Sequence, residues 1–115
     1  MKRALLPLAA SLLLAGAPAA RAASAVTVSV DRTSVSTGIG HTFVFRSTIA
    51  NHGPAPAREL VAHLNIVDLS GNVYVDPEDW SSHRTRYLPP IPAGGSTTLA
   101  WKLNAVNAGT IGVYV

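Results

Sequence analysis

Apolar and polar residues alternate over most of the chain from Val26 onward, and a period of two residues predicts β-strands. Because successive side chains of a strand point to opposite faces, each alternating run also predicts which residues face a core. The predicted inward-facing residues are Val26, Val28 and Val30; Phe43, Phe45, Ser47 and Ile49; Leu60, Ala62, Leu64 and Ile66; Leu99, Trp101 and Leu103; and Ile111, Val113 and Val115.

Turn-forming residues separate these runs. The segment "NHGPAP", residues 51–56, combines residues that tolerate positive φ, Asn51 and Gly53, with two prolines that cannot join a ladder, so it predicts a corner between two strands. The tripeptide "SGN", residues 70–72, predicts a tight hairpin turn into a further strand at residues 73–75.

The stretch "DPEDWSS", residues 76–82, breaks the alternation and predicts a short helical turn. Asp76 has the character of an N-cap, Pro77 suits the first helical position, and the acidic residues that follow favour the positive end of the turn. Trp80 is then expected to close the turn onto the sheets. Residues 85–88 predict a short strand, and the prolines and glycines of "PPIPAGGS" predict a connection across the fold.

About seven short strands with turn signals between them, and no helical periodicity, predict an all-β fold built as an antiparallel Greek-key β-sandwich. The 93 residues from 23 to 115 fit a single domain that folds without disulfides, since the chain contains no cysteine.

The first 22 residues have the pattern of a signal peptide. Lys2 and Arg3 precede an uncharged run rich in leucine and alanine, and the small residues around Ala22, with a second possible site at Ala25, are typical of a cleavage site. We therefore expect residues 1–22 to be removed, and a domain of residues 23–115 to be secreted or periplasmic, with no membrane insertion after cleavage.

Removal of this segment changes the electrostatic picture. It carries three of the nine basic residues and none of the acidic ones, so six basic and six acidic residues remain. A net charge near zero argues against nucleic acid as a partner, because nucleic-acid binding depends on an excess of Lys and Arg.

Two motifs resemble those of a known family. "IANHGPAPARELVAHL" is similar to the strand, turn and strand of bacterial exported Ig-like modules of the CARDB (cell-adhesion-related) type, and "LPPIPAGGSTTLAWKLNAVNAG" is similar to their strand-entry segment and following aromatic-bearing strand. The resemblance covers the chain from about His41 to Val115. It implies an Ig-like sandwich in a protein of adhesion, spacing or attachment, and it carries no catalytic residues; the charged "YVDPEDWSSHRTRYL" departs from the minimal module.

Residues with catalytic or metal-binding chemistry do not form a known motif. The four histidines, His41, His52, His63 and His83, are far apart in sequence and form no local chelate. Asp76, Glu78 and Asp79 lack the spacing of a calcium loop, and the segment containing Asp79, Ser81, Ser82 and His83 lacks a nucleophile elbow. The chain is therefore interpreted as a non-enzymatic protein with no cofactor and no native metal.

The remaining binding candidate is a surface patch of aromatic and arginine residues, which are enriched at contact sites: Tyr74, Trp80, Arg84, Arg86 and Tyr87. The competing interpretation is that Trp80 and Tyr87 plug one end of the sandwich and the arginines are solvated. The predicted function is a structural or adhesion-type interaction module whose partner is a protein or polysaccharide at the cell surface. The alternatives are a periplasmic metal-binding protein using histidines and a carbohydrate-binding accessory module.

The sequence stops at Val115 within an alternating run. We expect that a longer natural protein continues beyond this point with a further strand or domain. Two interpretations of the last strand stay open: it offers an unpaired edge to another chain, or its free edge results from the truncation.

Overall fold

The computed structural model describes residues 25–115, and the predicted signal peptide lies outside these residues. The described chain is all-β with antiparallel pairing, as predicted, and contains one four-residue helix. The elements in chain order are β1 (Val26–Val30), β2 (Thr42–Asn51), β3 (Val61–His63), β4 (Asn65–Asp68), α1 (Pro77–Trp80), β5 (Thr85–Tyr87), β6 (Ser96–Asn104) and β7 (Ile111–Tyr114).

The strands pair in three antiparallel groups. β2 is the central strand of the sheet β1-β2-β6, and its long pairing with β6 places Phe45 opposite Trp101. β3 pairs with β5, and β4 pairs with β7. β3 and β4 are two parts of one extended run separated by Leu64, whose amide N donates to the carbonyl O of Arg84 at 2.8 Å.

One apolar cluster joins the three groups of strands. Its buried residues come from β2, β6, β3, β4, α1 and the connections: Phe45, Ile49, Ala62, Leu64, Ile66, Trp80, Ile91, Trp101, Leu103 and Ala105. The inward faces predicted for β2, for the run of residues 60–66 and for β6 are thus confirmed. Ser47 is a fully buried polar residue, and its Oγ accepts a hydrogen bond from Nε1 of Trp101 at 2.8 Å. This bond lets the largest core side chain bury its polar atom at little cost.

The prediction that β1 buries alternate valines is wrong beyond Val26. Val28 and Val30 remain 48% and 46% exposed. β1 is an edge strand that pairs with β2 on one side. Its alternating valines favour strand conformation, but no second layer covers Val28 and Val30.

The corner at residues 51–56 forms as predicted, for a partly different reason. Asn51 is buried, its Nδ2 donates to the carbonyl O atoms of Ala55, Ile91 and Pro92, and its Oδ1 accepts from the amide of Gly53 at 3.0 Å. Neither Asn51 nor Gly53 adopts positive φ. Glycine is instead favoured at 53 by space, because a Cβ there would lie 3.0 Å from the Cβ of Ala25, a tight contact.

The predicted hairpin after residue 70 does not form. The carboxylate of Asp68 accepts hydrogen bonds from the amides of Ser70, Gly71, Asn72 and Val73, at 2.8 to 3.0 Å. Gly71 has φ +84° within this closed loop. Residues 73–75 leave the loop without joining a sheet, and β4 pairs with the distant β7 instead.

The helical turn is confirmed. Oδ1 of Asp76 accepts from the amide of Glu78 at 3.1 Å, Pro77 begins the helix, and Trp80 is buried against the core. β5 is confirmed near its predicted position, and residues 88–95 connect it to β6 in the other sheet.

Candidate functional site

The five residues predicted as a binding patch occupy different environments. Tyr74 and Tyr87 are 84% and 82% exposed, whereas Trp80 is buried in the core. The interpretation that Trp80 closes one end of the fold is therefore supported, while Tyr87 plays no such part. Trp80 is only 4% exposed, so the core covers most of its ring, and of the three aromatic residues the two tyrosines are the ones with open rings.

The two arginines of the patch also point to different neighbours. The guanidinium of Arg86 lies 5.2 Å from the centre of the Trp101 ring, and its Nη2 donates to the carbonyl O of Ala100 at 3.2 Å. Its Nε atom is buried without a hydrogen-bond partner. Since Tyr87 is its neighbour in β5, the two side chains point to opposite faces of the strand. Arg86 thus serves the packing around Trp101 and is not a solvated cation.

Arg84 belongs to a polar surface cluster beside α1. Its Nη2 lies 3.9 Å from Oε1 of Glu78, and its Nη1 lies 3.5 Å from Nε2 of His63. Nδ1 of His63 is in turn 2.9 Å from Oγ1 of Thr85. Glu78, Arg84 and Thr85, with Ser82 and His83, line a shallow polar pocket of about 570 Å³. Glu78 is largely exposed, so this ion pair contributes little to stability.

The residues with metal-binding chemistry are dispersed. Among residues 25–115, no three His, Asp or Glu side chains are grouped in a way that would hold a metal ion. Asp76 caps α1, and Nε2 of His52 lies 2.9 Å from Oγ1 of Thr27.

The carboxyl group of Asp68 has a lowered pKa. Hydrogen bonds from the backbone amides of Val73 and Ser70 lower the pKa of its carboxyl group from the ordinary value of 3.8. These bonds hold the closed loop after β4, and that loop brings Leu69 beside an opening between residues 32–39 and 107–113. The anionic form of Asp68 is therefore a structural group that shapes one rim of this opening.

This opening is a groove of about 820 Å³ that sequence reasoning did not find. One wall consists of residues 32–39, the other of residues 107–113, and the floor includes Phe43, Phe45, Trp80 and Ala105. Val35, Ile39 and Leu69 line it while remaining exposed, Ile39 at 62% and Leu69 at 63%. Val35 and Ile39 stand in a polar loop without periodicity, so nothing in the sequence pattern assigns them to a surface shared with the last strand.

Comparisons with family models, with curated proteins and with solved structures find no significant match to this chain. Within the part of the chain that the structure describes, no helix has the length and apolar character needed to cross a bilayer.

Proposed function

We propose that this chain is an exported bacterial module with an Ig-like Greek-key β-sandwich, resembling the CARDB type, and that it acts by binding another macromolecule rather than by catalysis. The observation that carries the interaction role is the groove between residues 32–39 and β7, which exposes the apolar side chains of Val35, Ile39 and Leu69 among polar ones. Exposed apolar surface is typical of interaction sites, because its contact with water is unfavourable until a partner covers it.

The sandwich is supported by the direction of the hydrogen bonds along residues 60–69. Leu60 and Leu64 bond to the chain around β5, whereas the amide of Leu69 bonds to the carbonyl O of Thr110 before β7. Even and odd residues of a strand direct their backbone groups to opposite edges. β5 and β7 therefore flank opposite edges of this run and extend it into a second layer.

The strand order supports the Ig-like assignment. β1, β2 and β6 correspond to strands A, B and E of that fold, and the run of β3 and β4 with β7 corresponds to strands C and F. The buried residues of the two layers meet in one core around Trp101 and Leu64. A Greek-key sandwich accounts for both features.

The start of β1 bears on which of the two predicted cleavage sites is used. The carbonyl O of Ala25 accepts a hydrogen bond from the amide of His52 at 2.7 Å, which ties residue 25 to the corner. Cleavage after Ala22 keeps this bond, whereas cleavage after Ala25 removes it. The structure thus favours the first of the two sites.

Expression of the full chain with a carboxy-terminal tag in a bacterium tests export. We expect the periplasm or medium to contain a product whose intact mass corresponds to a start at Ala23. An Ala22→Asp variant should lose that product, because a small residue is needed before the cleaved bond. An uncut chain that stays in the cytoplasm would contradict the proposal.

A further inference from the structure

β7 has one free edge, and this edge faces the groove. Since the amide of Leu69 bonds to Thr110, the alternation of an antiparallel ladder makes Gly112 a hydrogen-bonded partner of β4. The amide and carbonyl groups of Ile111 and Val113 then point away from β4. No second strand pairs with β7 in the described chain.

The opposite wall is also without backbone partners. Within residues 25–115, no hydrogen bond involves residues 32–37, and the nearest ones are made by Asp31 and by Gly38 with His41. All of residues 31–40 are exposed. Unpaired backbone groups therefore line both sides of the groove, and a strand placed between them would find donors and acceptors on both edges.

The side chains of the groove indicate what such a strand would carry. Phe45, Trp80 and Ala105 form a buried apolar floor, and Val35, Ile39 and Leu69 form an apolar rim. Arg32 is the single formally charged residue among the lining residues of the described chain. This surface suits a strand that is uncharged and presents apolar side chains at every second position to the floor.

We propose that the groove binds an extended strand donated by a separate polypeptide, with apolar residues at alternate positions, which adds to the free edge of β7 and lies against residues 32–39. The binding mode is strand addition, in which main-chain hydrogen bonds supply affinity and the floor selects side chains. In the Ig-like arrangement proposed above, on which this inference rests, the strand fills the position beside strand F.

A second copy of this chain fits the groove less well. In the described chain β1, β5, β6 and β7 each have an unpaired edge, and each of these strands is already held in its own sheet. Residues 32–37 and 73–75 of a copy join no strand, but each of these segments is tethered at both ends to paired or helical elements. A folded copy can therefore approach the rim without placing a free strand between the two walls.

Titration of the exported chain with a synthetic peptide tests the proposal. β7 spans four residues, about 13 Å at the rise of a strand, so a blocked seven-residue peptide in which valine alternates with threonine is long enough. The controls are a peptide of the same composition with its valines contiguous, and the alternating peptide with N-methyl groups on its valine amides. Calorimetry gives the affinity, and amide NMR spectra locate the binding site.

We expect the alternating peptide to bind, with spectral changes in residues 31–40 and 107–113. N-methylation should weaken binding by about tenfold or more, because each lost main-chain hydrogen bond reduces affinity severalfold. Contiguous valines should weaken it similarly, because alternate side chains of a strand then point away from the floor. Ile39→Asp should weaken it by a similar factor. Val61→Asp, at a position in β3 that is 52% exposed and outside the groove, is the matched control and should bind normally.

Equal binding of the contiguous-valine or N-methylated peptide would overturn the proposal, because the groove would then be a nonspecific apolar surface. Absence of binding at millimolar peptide, or a stable dimer that excludes the peptide, would also overturn it. Export and the mature amino terminus are measured independently. A chain that is exported but binds no strand therefore refutes this inference without refuting export.

Discussion

Replacement of Trp101 is the strongest perturbation of the core that the structure suggests. Its side chain is fully buried, and the guanidinium of Arg86 lies over its ring. Its Nε1 donates a hydrogen bond to Oγ of Ser47, which is also fully buried. Trp101→Ala removes the ring and leaves the buried hydroxyl of Ser47 and the partly buried Arg86 without their partner. Trp101→Phe keeps most of the ring volume and removes only the hydrogen-bond donor.

The expected losses follow from these contacts. Trp101→Ala should lower the free energy of unfolding by about 3 to 5 kcal/mol, the usual cost of truncating a large buried aromatic residue. In a domain of this size, where total stability is about 5 to 15 kcal/mol, such a variant is near the limit of folding. The hydrogen bond itself should contribute about 0.5 to 1.5 kcal/mol.

Urea unfolding of the mature chain, followed by circular dichroism, measures both quantities. Trp101→Phe, Ser47→Ala and the double variant form a cycle whose coupling energy isolates the hydrogen bond. Coupling in the expected range requires that the two side chains meet in the core.

The reasoning would be refuted if Trp101→Ala cost less than about 1 kcal/mol, the range of ordinary surface substitutions. That result would mean that β6 presents its other face to the core, as after a slip of one residue in register.

Three further substitutions test side-chain hydrogen bonds that hold a corner, a loop and the helical turn. Asn51→Ala removes the side-chain hydrogen bonds to the carbonyl O atoms of Ala55, Ile91 and Pro92 and the acceptor of the Gly53 amide, and should cost about 1 to 3 kcal/mol in urea unfolding. Asn104→Ala, at an exposed position, should cost about 0.5 kcal/mol or less. The folded loop lowers the pKa of Asp68. Its ionised form therefore stabilises the fold fully when the pH is above 3.8, the ordinary pKa. This stabilisation is lost as the pH falls through the lower pKa of the folded state. Asp68→Asn should therefore reduce the thermal midpoint near pH 6 and have little effect near pH 2; equal effects at both would exclude the charged loop as the cause. Asp76→Ala removes the cap of α1 and should cost about 1 kcal/mol, and an unchanged midpoint would show that the turn is held by Trp80 alone.

The sequence was most informative where one face of a strand is fully covered. The runs around Phe45 and Trp101 alternate strictly because each inward residue contacts the other layer, and the structure confirms their faces. The same pattern misled at Val28 and Val30, since β-branched residues favour strands even where nothing covers them.

Other features depend on contacts between distant segments, so local sequence patterns do not predict them. Turn chemistry at residues 70–72 was recognised, but the carboxylate of Asp68 closes that loop and directs the chain away from a hairpin. The environments of the five patch residues depend on which face of each element meets the core, as the burial of Trp80 and the stacking of Arg86 illustrate. The groove is formed by residues about 70 positions apart, and only the tertiary fold brings its walls together.

The proposed strand-binding edge is tested most directly by amide hydrogen exchange, measured residue by residue with NMR. In the isolated exported chain, we expect the amides of Ile111 and Val113 to exchange rapidly, whereas the amide of Gly112 is protected by its hydrogen bond to β4. The alternating peptide should slow exchange at Ile111 and Val113. Protection of these two amides without peptide would show that the edge is already filled. Rapid exchange that persists at saturating peptide would show that no strand adds to β7.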